Sequence, residues 1–578
     1  MQPLPCVPAS SGPVSPSSRV PSIAIVGAGP TAVYALDALQ RQGPACRVTL
    51  LEAGGQPGQG IPFNARNNGA HLLANIAGFE LPPVGETLNA WAMRQSPRRQ
   101  AALGLAGMAH DPRAFFPRMA LGAYYADQLG RLMAPEAGPC MAELHCHAEV
   151  QDIVARPDGA RVIWTQRGQR HAADFDAVIV ASGYGKPDVG ARLAGASARS
   201  ARGRRVAVIG SSLSAIDAAV ELAVRHGQFH EAGDGTLRYA MEQPFAVTFL
   251  SRHGLLPEAD FWVPEQAPPL RHCTPAALAA VVRGDDGDLD RAFALFAREL
   301  AEADPDYART IDLPTCDADS FATRHFAVRM AADPFAHARA NLAEARDSHA
   351  RRQTIAWRHA ILRMHEAFAT IVPDLSDADL ARFSQGLKRV FVDNYAAVPH
   401  LSVARLLALH AAGVLDVQRI GRDATMARAA DGAGWTIGAA GAVERFDEVI
   451  DARGQAPLGL EDFPFPTLRL HICAQALAED RHWHEGLAPA QGHVLDPDDP
   501  ALARVHVLSL PFLLHRHPFI QGLTESAAMA RACVAALARR AEASARGRDD
   551  IHAALAWLDR TDPIYQGTDV LMVARPTA

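Results

Sequence analysis

Gly27, Gly29 and Ala32 follow the apolar run Ile23–Val26 at the spacing G-x-G-x-x-A. That spacing suits a pyrophosphate. Gly27 permits a tight turn, and Gly29 lets the backbone approach the phosphates. Ala32 is small enough for the following helix to lie against its strand. Ala28, Pro30 and Thr31 complete the turn and open the helix, whose free N–H groups and positive end face the anion. The next apolar run, Arg47–Glu52, ends in an acid 25 positions after Gly27. Glu52, followed by Ala53, can accept hydrogen bonds from both hydroxyls of a ribose and would repel a 2′-phosphate. Strand, turn, helix, strand and terminal acid together predict a dinucleotide site.

A second set repeats the plan. Gly210, Ser211, Ser212 and Ser214 follow the run Arg204–Ile209, with serines in place of two glycines. Their hydroxyls can donate to phosphate oxygens. Asp217, on the helix that follows, reads as a local packing or capping residue. The strand Phe245–Leu250 leads into Arg252 where the first unit has its acid. An arginine there can hold a 2′-phosphate as a fork, although an exposed strand-end cation is the plainer reading. Two turns imply two dinucleotides, FAD in the first and NADPH in the second. Hydride passes between them, so the two units must face each other.

The elements that position these residues read as an α/β protein with two Rossmann-like dinucleotide-binding domains and a helical insertion. Downstream of Glu52 a glycine-rich stretch carries Gly60 and Ile61, and "HLLANIAG" carries Leu73, Ala74 and Asn75. Short strands from Ala148, including Val150, are split by turns at "RPDG" and "QRGQ". "FDAVIVASG" closes them with Ala181, Ser182 and Gly183, small residues against which a bulky flavin can lie. "FDEVIDARG", with Arg453, echoes that strand before the chain returns to the flavin domain. Gly522, Leu523 and Thr524 then open a long helix whose start would face the flavin's pyrimidine edge, with Thr524 also an ordinary cap. The domain plan is residues 22–200 and 453–545 for FAD, 201–254 and 401–452 for NADPH, and 255–400 as a helical insertion. Residues 1–21 form a Pro/Ser-rich disordered tail and 546–578 a C-terminal extension.

The insertion shows apolar residues at helical spacing and is expected to cover the flavin, or to serve stability or an oligomer contact instead. Within it Lys388, Arg389, Asn394, Tyr395 and His400 could hold an amino-acid carboxylate, although each alone reads as an exposed helix charge or polar group. Two histidines in "HRHPF" have no third ligand, so no metal is expected.

Composition excludes several classes. Of 578 residues, 56 are basic and 63 acidic, a net charge of −7, which gives no electrostatic reason to bind nucleic acid or an anionic membrane. No apolar run reaches membrane length and no signal peptide opens the chain, so a cytoplasmic protein is expected. The eight cysteines include no C-x-x-C pair, which argues for reduced thiols and against a dithiol reductase.

"VGAGPTAV", "GQGIPF", "HLLANIAG", "FFPRMALGAYYADQL", "GSSLSAIDAA" and "SRHGLLP" occur in the order found in a known group. The chain resembles the FAD/NAD(P)-binding flavoproteins that include the aspartate N-monooxygenases. "DAVIVASGYGKP" is also similar to the signature of flavin N-hydroxylating monooxygenases, matching at Asp176, Ala181, Gly183 and Tyr184. It departs from that signature at Val180, Ser182 and the early Pro187. The resemblance implies FAD, NADPH and molecular oxygen acting on a small amine or amino acid, aspartate among them, through a C4a-hydroperoxyflavin. Asn75, Tyr184 and Thr524 become the candidate catalytic positions. An NADPH-dependent reductase that passes electrons elsewhere is the alternative, and a non-catalytic flavin-binding protein is a further one.

Overall fold

Continuous runs of Val, Ile and Leu bury both faces of a strand, and such runs build two parallel sheets in the computed structural model. It describes residues 20–183, 204–439, 441–454, 456–478, 487, 489–520 and 522–561. The first sheet has the order 505–507, 177–180, 22–26, 47–52, 141–146, with every neighbour parallel. The second has the order 415–419, 245–251, 204–209, 448–451, again all parallel. Helices Pro30–Gln42 and Leu213–His226 follow the first strand of each glycine-turn unit. The protein is therefore an α/β protein with two Rossmann-like units and a helical region.

The echo between "FDAVIVASG" and "FDEVIDARG" has a structural cause. Ala177–Val180 pairs with Ile23–Val26, and Glu448–Asp451 pairs with Val206–Ile209, the same place in each sheet. The aspartate before each strand ties down the start of its neighbour. Asp176 Oδ2 accepts from Ser22 N at 2.7 Å, and Asp447 Oδ2 accepts from Arg205 N at 2.8 Å. Beside the first sheet lies an antiparallel layer of 148–156, 159–166 and 169–175. The second unit carries a hairpin, 227–231 with 237–241, and an antiparallel layer over 425–446, which periodicity did not suggest.

Helices between Pro275 and Tyr395 form their own apolar core, which also takes in Phe519 from the returning first unit. Helix Pro334–Arg351 departs from this plan. Its Phe335, Ala338, Leu342 and Ala345 pack into the core of the second unit, so part of the expected insertion is structurally part of that unit. The C-terminal helix Leu523–Thr561 runs straight through the boundary expected at 545. Residues 1–19 and Tyr184 lie outside the described residues. No helix among the described residues is long and apolar enough to cross a membrane.

A buried ion cluster joins the second unit to the helical region. Glu258, in the connecting segment, lies 3.3 Å from Arg358 Nε, 3.6 Å from Arg329 Nε and 3.2 Å from His337 Nε2. Arg329 also pairs with Asp393 and donates to Leu256 O, and Arg358 donates to Ala259 O. Burial alone would raise the Glu258 pKa, but Arg358 and Arg329 outweigh it and hold the carboxyl well below the usual range. Removing one partner leaves the other charge buried and unpaired. Arg358→Met should therefore destabilise the protein by about 3–5 kcal/mol in urea unfolding.

His506 is buried in strand Val505–Val507, its Nδ1 2.9 Å from Gly492 O. Burial pushes its pKa down to about 4. The depressed folded value makes its contribution to stability present above about pH 6.5, and that contribution is lost as pH falls toward 4. The unfolding midpoint should drop over that window. His506→Asn, which retains a donor without the titration, should show a shallower drop.

Candidate functional site

The first glycine turn closes on backbone. Gly27 adopts φ 98°, and a Cβ there would stand 2.8 Å from Ala181 O. Gly29 is the N-cap of helix Pro30–Gln42, with Pro30 at its first position, and a Cβ on Gly29 would lie 3.5 Å from Gly60 Cα. Glu52 is held by two amides, Oε2 accepting from Ala28 N at 2.9 Å and Oε1 from Gly54 N at 2.8 Å. Its carboxylate therefore sits fixed at the mouth of the turn, with Ala53 exposed behind it. Thr31 Oγ1 donates to Ser526 Oγ at 3.2 Å, so the helix beginning at Leu523 starts beside the first helix. Ser509 Oγ donates to the carbonyl of Ser182 at 2.5 Å, with Ala181 before it and Gly183 after it.

Leu73, Ala74 and Asn75 lie on strand Leu73–Ala77, which pairs with Phe115–Pro117. Asn75 Oδ1 and Gln56 Oε1 are shielded from solvent and have no hydrogen-bond partner. Unpartnered buried acceptors and a turn with no room for a Cβ at Gly27 are what a bound dinucleotide would complete. The residues present fit FAD. Val150 packs half-buried against the first unit's core, and Ile61 is exposed. Gly522 and Thr524 are exposed, and Glu525 stands in the first turn of their helix, its pKa raised by burial.

The second turn matches the first in geometry. Gly210 has φ 113°, and a Cβ would stand 3.1 Å from Ala452 O. Ser212 is the N-cap of helix Leu213–His226, and Ser214 lies in its first turn. Ser211 Oγ is committed to Leu255 O at 2.5 Å rather than left free for a phosphate. Arg453 is held as a fork by Asp451, at 2.9 and 2.7 Å.

At the end of strand Phe245–Ser251 several cations converge. Arg389 Nη2 lies 2.7 Å from His253 Nε2. Burial, then Arg389, Arg419, Arg252 and Arg422, lowers the His253 pKa, and burial with Arg252 and Arg422 lowers that of Arg389. Cations that depress one another's pKa mark a place where an anion would be stabilised. In the sequence Arg252 alone stands where a 2′-phosphate would be read, and Arg389 stands among the candidates for a substrate carboxylate. The structure brings Arg389 to His253, beside Arg252. Arg419 ends strand Leu415–Arg419, which pairs with Phe245–Ser251 from 168 residues further along, and Arg422 follows it in the next turn, so neither is adjacent in the sequence.

The two units meet through side chains that the sequence left unassigned. Arg118 Nη2 pairs with Asp217 at 2.7 Å, and Arg118 Nε donates to Leu73 O. Asp217 is thus a contact between units rather than a local cap. His71 Nε2 lies 2.6 Å from Glu221 Oε2, and Arg405 donates to His71 O. A cavity of about 120 Å³ opens between these pairs. Cys46 and Cys140, distant in sequence, bring their Sγ atoms to 3.0 Å, but at the opposite end of the first sheet from the glycine turn. Among the described residues no group of His, Cys, Asp and Glu could hold a metal. Gly27→Val should give colourless protein that FAD does not restore, since the branched side chain would meet the Ala181 carbonyl. Absorbance of the purified variant tests this.

The family profile described as FAD-NAD(P)-binding matches residues 24–185, and that described as the YdhS-like middle domain matches 274–395. The protein YdhS of Escherichia coli (strain K12) is 36% identical over 537 residues, covering 90% of this chain and 98% of that protein. Among solved structures, the ornithine N-hydroxylase KtzI of Kutzneria sp. 744 is 14% identical over 90% of this chain and 99% of its own, with a TM-score of 0.46. The bacillithiol disulfide reductase Bdr of Bacillus cereus is 12% identical over 90% of this chain and 100% of its own, with a TM-score of 0.39. The chain belongs to the YdhS family, with an FAD-NAD(P)-binding domain at its first glycine turn and the family's middle domain in its helical region.

Proposed function

We propose that the protein is an FAD- and NADPH-dependent monooxygenase that hydroxylates the nitrogen of a small amine or amino acid, aspartate being one candidate. The observation that carries this reading is the contrast between the two nucleotide ends. Glu52 sets a carboxylate at one, while Arg252, Arg389, Arg419, Arg422 and His253 gather at the other. An acid suits ribose hydroxyls, and clustered guanidinia suit a 2′-phosphate.

A flavin bound at the first turn supplies hydride acceptance and oxygen activation, which side chains lack. The chain's own residues bind, orient and exclude water. Arg118–Asp217 and His71–Glu221 hold the second unit against strand Leu73–Ala77, which carries Asn75. The aromatic core around Phe383, Phe391 and Phe519 offers a dry cover beside the start of the C-terminal helix. Preference for oxygen transfer over electron transfer rests on the similarity of "DAVIVASGYGKP" to the N-hydroxylase signature. Asp176 of that stretch fixes Ser22, and Ala181 packs on Gly27.

Arg252→Ala and Arg389→Ala should each weaken NADPH by about 1.5–3 kcal/mol and leave NADH nearly unchanged, because only NADPH carries the extra phosphate. Titration with both nucleotides reads this, and equal losses would remove those arginines from the site. The reaction itself is tested by supplying NADPH and oxygen with a panel of amines and amino acids. A hydroxylamine product is expected. Peroxide alone across the panel would replace this reading with an NADPH-dependent reductase.

A further inference from the structure

A cysteine stands just ahead of each of two neighbouring strands in the first sheet. Cys46 precedes strand Arg47–Glu52, and Cys140 precedes strand Met141–Cys146. The strands are parallel with Arg47 opposite Met141, so one more step of the register sets Cys46 opposite Cys140. Paired strands lie about 4.8 Å apart. A disulfide joins Cα atoms about 4.4–6.8 Å apart, so the two positions are within bridging reach. Their side chains meet, with the Sγ atoms 3.0 Å apart. Carbon atoms, which are smaller than sulfur, find their best separation only at about 3.5–4.0 Å.

Backbone contacts hold the two sulfurs in place. Met141 N donates to Cys46 O at 2.9 Å, and Arg47 N donates to Pro21 O at 2.7 Å. Gln40, in helix Pro30–Gln42, fixes Cys140 from the other side. Its Nε2 donates to Cys140 O and Leu132 O, both at 2.9 Å, and its Oε1 accepts from Cys140 N at 3.0 Å. Packing alone does not ask for so close a contact. A buried cysteine serves well as a small apolar side chain, but a space-filling sulfur gains nothing from crowding another.

The two thiols are chemically unlike. Cys46 Sγ donates to Cys140 Sγ. That hydrogen bond lowers the Cys140 pKa against its burial and, together with burial, raises that of Cys46. Cys140 is therefore the thiol that ionises first, and the thiolate is the nucleophilic form. The cover over the pair is thin. Both cysteines are buried, but Ala45 and Arg47 on either side of one, and Pro139 and Met141 beside the other, are exposed. An oxidant little larger than water has only these strand ends to pass.

We infer that Cys46 and Cys140 form a dithiol site that hydrogen peroxide oxidises reversibly to a disulfide. The Cys140 thiolate attacks one peroxide oxygen, the O–O bond breaks, and the departing hydroxide takes up a proton and leaves as water. Cys140 is then a sulfenic acid. Cys46 gives up its proton, and its sulfur attacks Cys140 Sγ. The S–O bond breaks, and the oxygen leaves as a second water. Two electrons have passed from the two sulfurs to the peroxide, and a thiol reductant returns them. The site does not depend on the reaction proposed above, because peroxide from any source serves.

Graded hydrogen peroxide on the full-length protein, followed by alkylation and peptide mass spectrometry, tests the inference. The Cys46–Cys140 linkage should appear before Cys146, Cys316 or Cys473, all partly exposed, is oxidised. At that stage two of the eight thiols should be lost, and dithiothreitol should restore both. Cys46→Ser removes the second thiol, so dimedone should trap a sulfenic acid on Cys140. It should do so about tenfold more than on Cys46 in Cys140→Ser, since reactivity follows the thiolate. Two free thiols after Cys146, Cys316 and Cys473 have been oxidised would overturn the inference. A bridge from either cysteine to a different one, or oxidation that dithiothreitol does not reverse, would do the same. Equal trapping in the two single variants would overturn the assignment of Cys140 as the attacking thiol. The linkage measurement uses the unaltered protein, so it stands even where a variant does not fold.

Discussion

Glu258 is the residue that ties the second unit to the helical region. It lies in the short segment that leaves the second sheet, and it is 6% exposed between two arginines that come from different helices. A carboxylate so deep is tolerable only because both guanidinia remain in place. The same arginines donate to Leu256 O and Ala259 O, so the connecting backbone is gripped along its length. Arg329 passes the constraint on to Asp393, and with it to helix Leu387–Tyr395. That helix presents Arg389 to the second nucleotide unit on one flank and Tyr395 to the first unit on the other. The segment is also pinned to the first unit, where Arg113 donates to Val263 O and lies 5.3 Å from Trp262. Ion pairing in the core thereby fixes which side chains reach each nucleotide end.

The two Rossmann-like units differ in charge where they resemble one another in shape. Gly27 and Gly210 both adopt the left-handed conformation and both press on the carbonyl of the next strand. After that common turn, the first unit fixes an acid with two backbone amides and the second leaves several cations mutually unfavourable. In the first unit backbone alone holds the carboxylate in place. The second is relieved by an anion, which suits a nucleotide that comes and goes.

Much of this was legible in the sequence, for definite reasons. Glycine spacing, continuous apolar runs and a terminal acid are local patterns, and they marked both turns, Glu52 and Arg252. The repeated "FD" before two strands was visible, but its cause, a carboxylate holding the neighbouring strand's first amide, needs a partner 154 or 242 positions away. Arg419, Arg422 and the pairs Arg118–Asp217 and His71–Glu221 were illegible for the same reason. They are contacts between units, and no period in the chain encodes them. Residues 334–351 fall within the stretch that reads as a helical insertion, but periodicity does not say which core an apolar helix face will join.

The proposed function requires the two unlike nucleotide sites to face each other closely enough for hydride to pass from one to the other. Anaerobic mixing of the FAD-loaded protein with NADPH, followed by flavin absorbance, measures this transfer directly. Bleaching of the flavin is expected, faster with NADPH than with NADH and slowed when the transferable hydrogen is deuterium. A flavin that stays oxidised in the presence of saturating, demonstrably bound NADPH would contradict it.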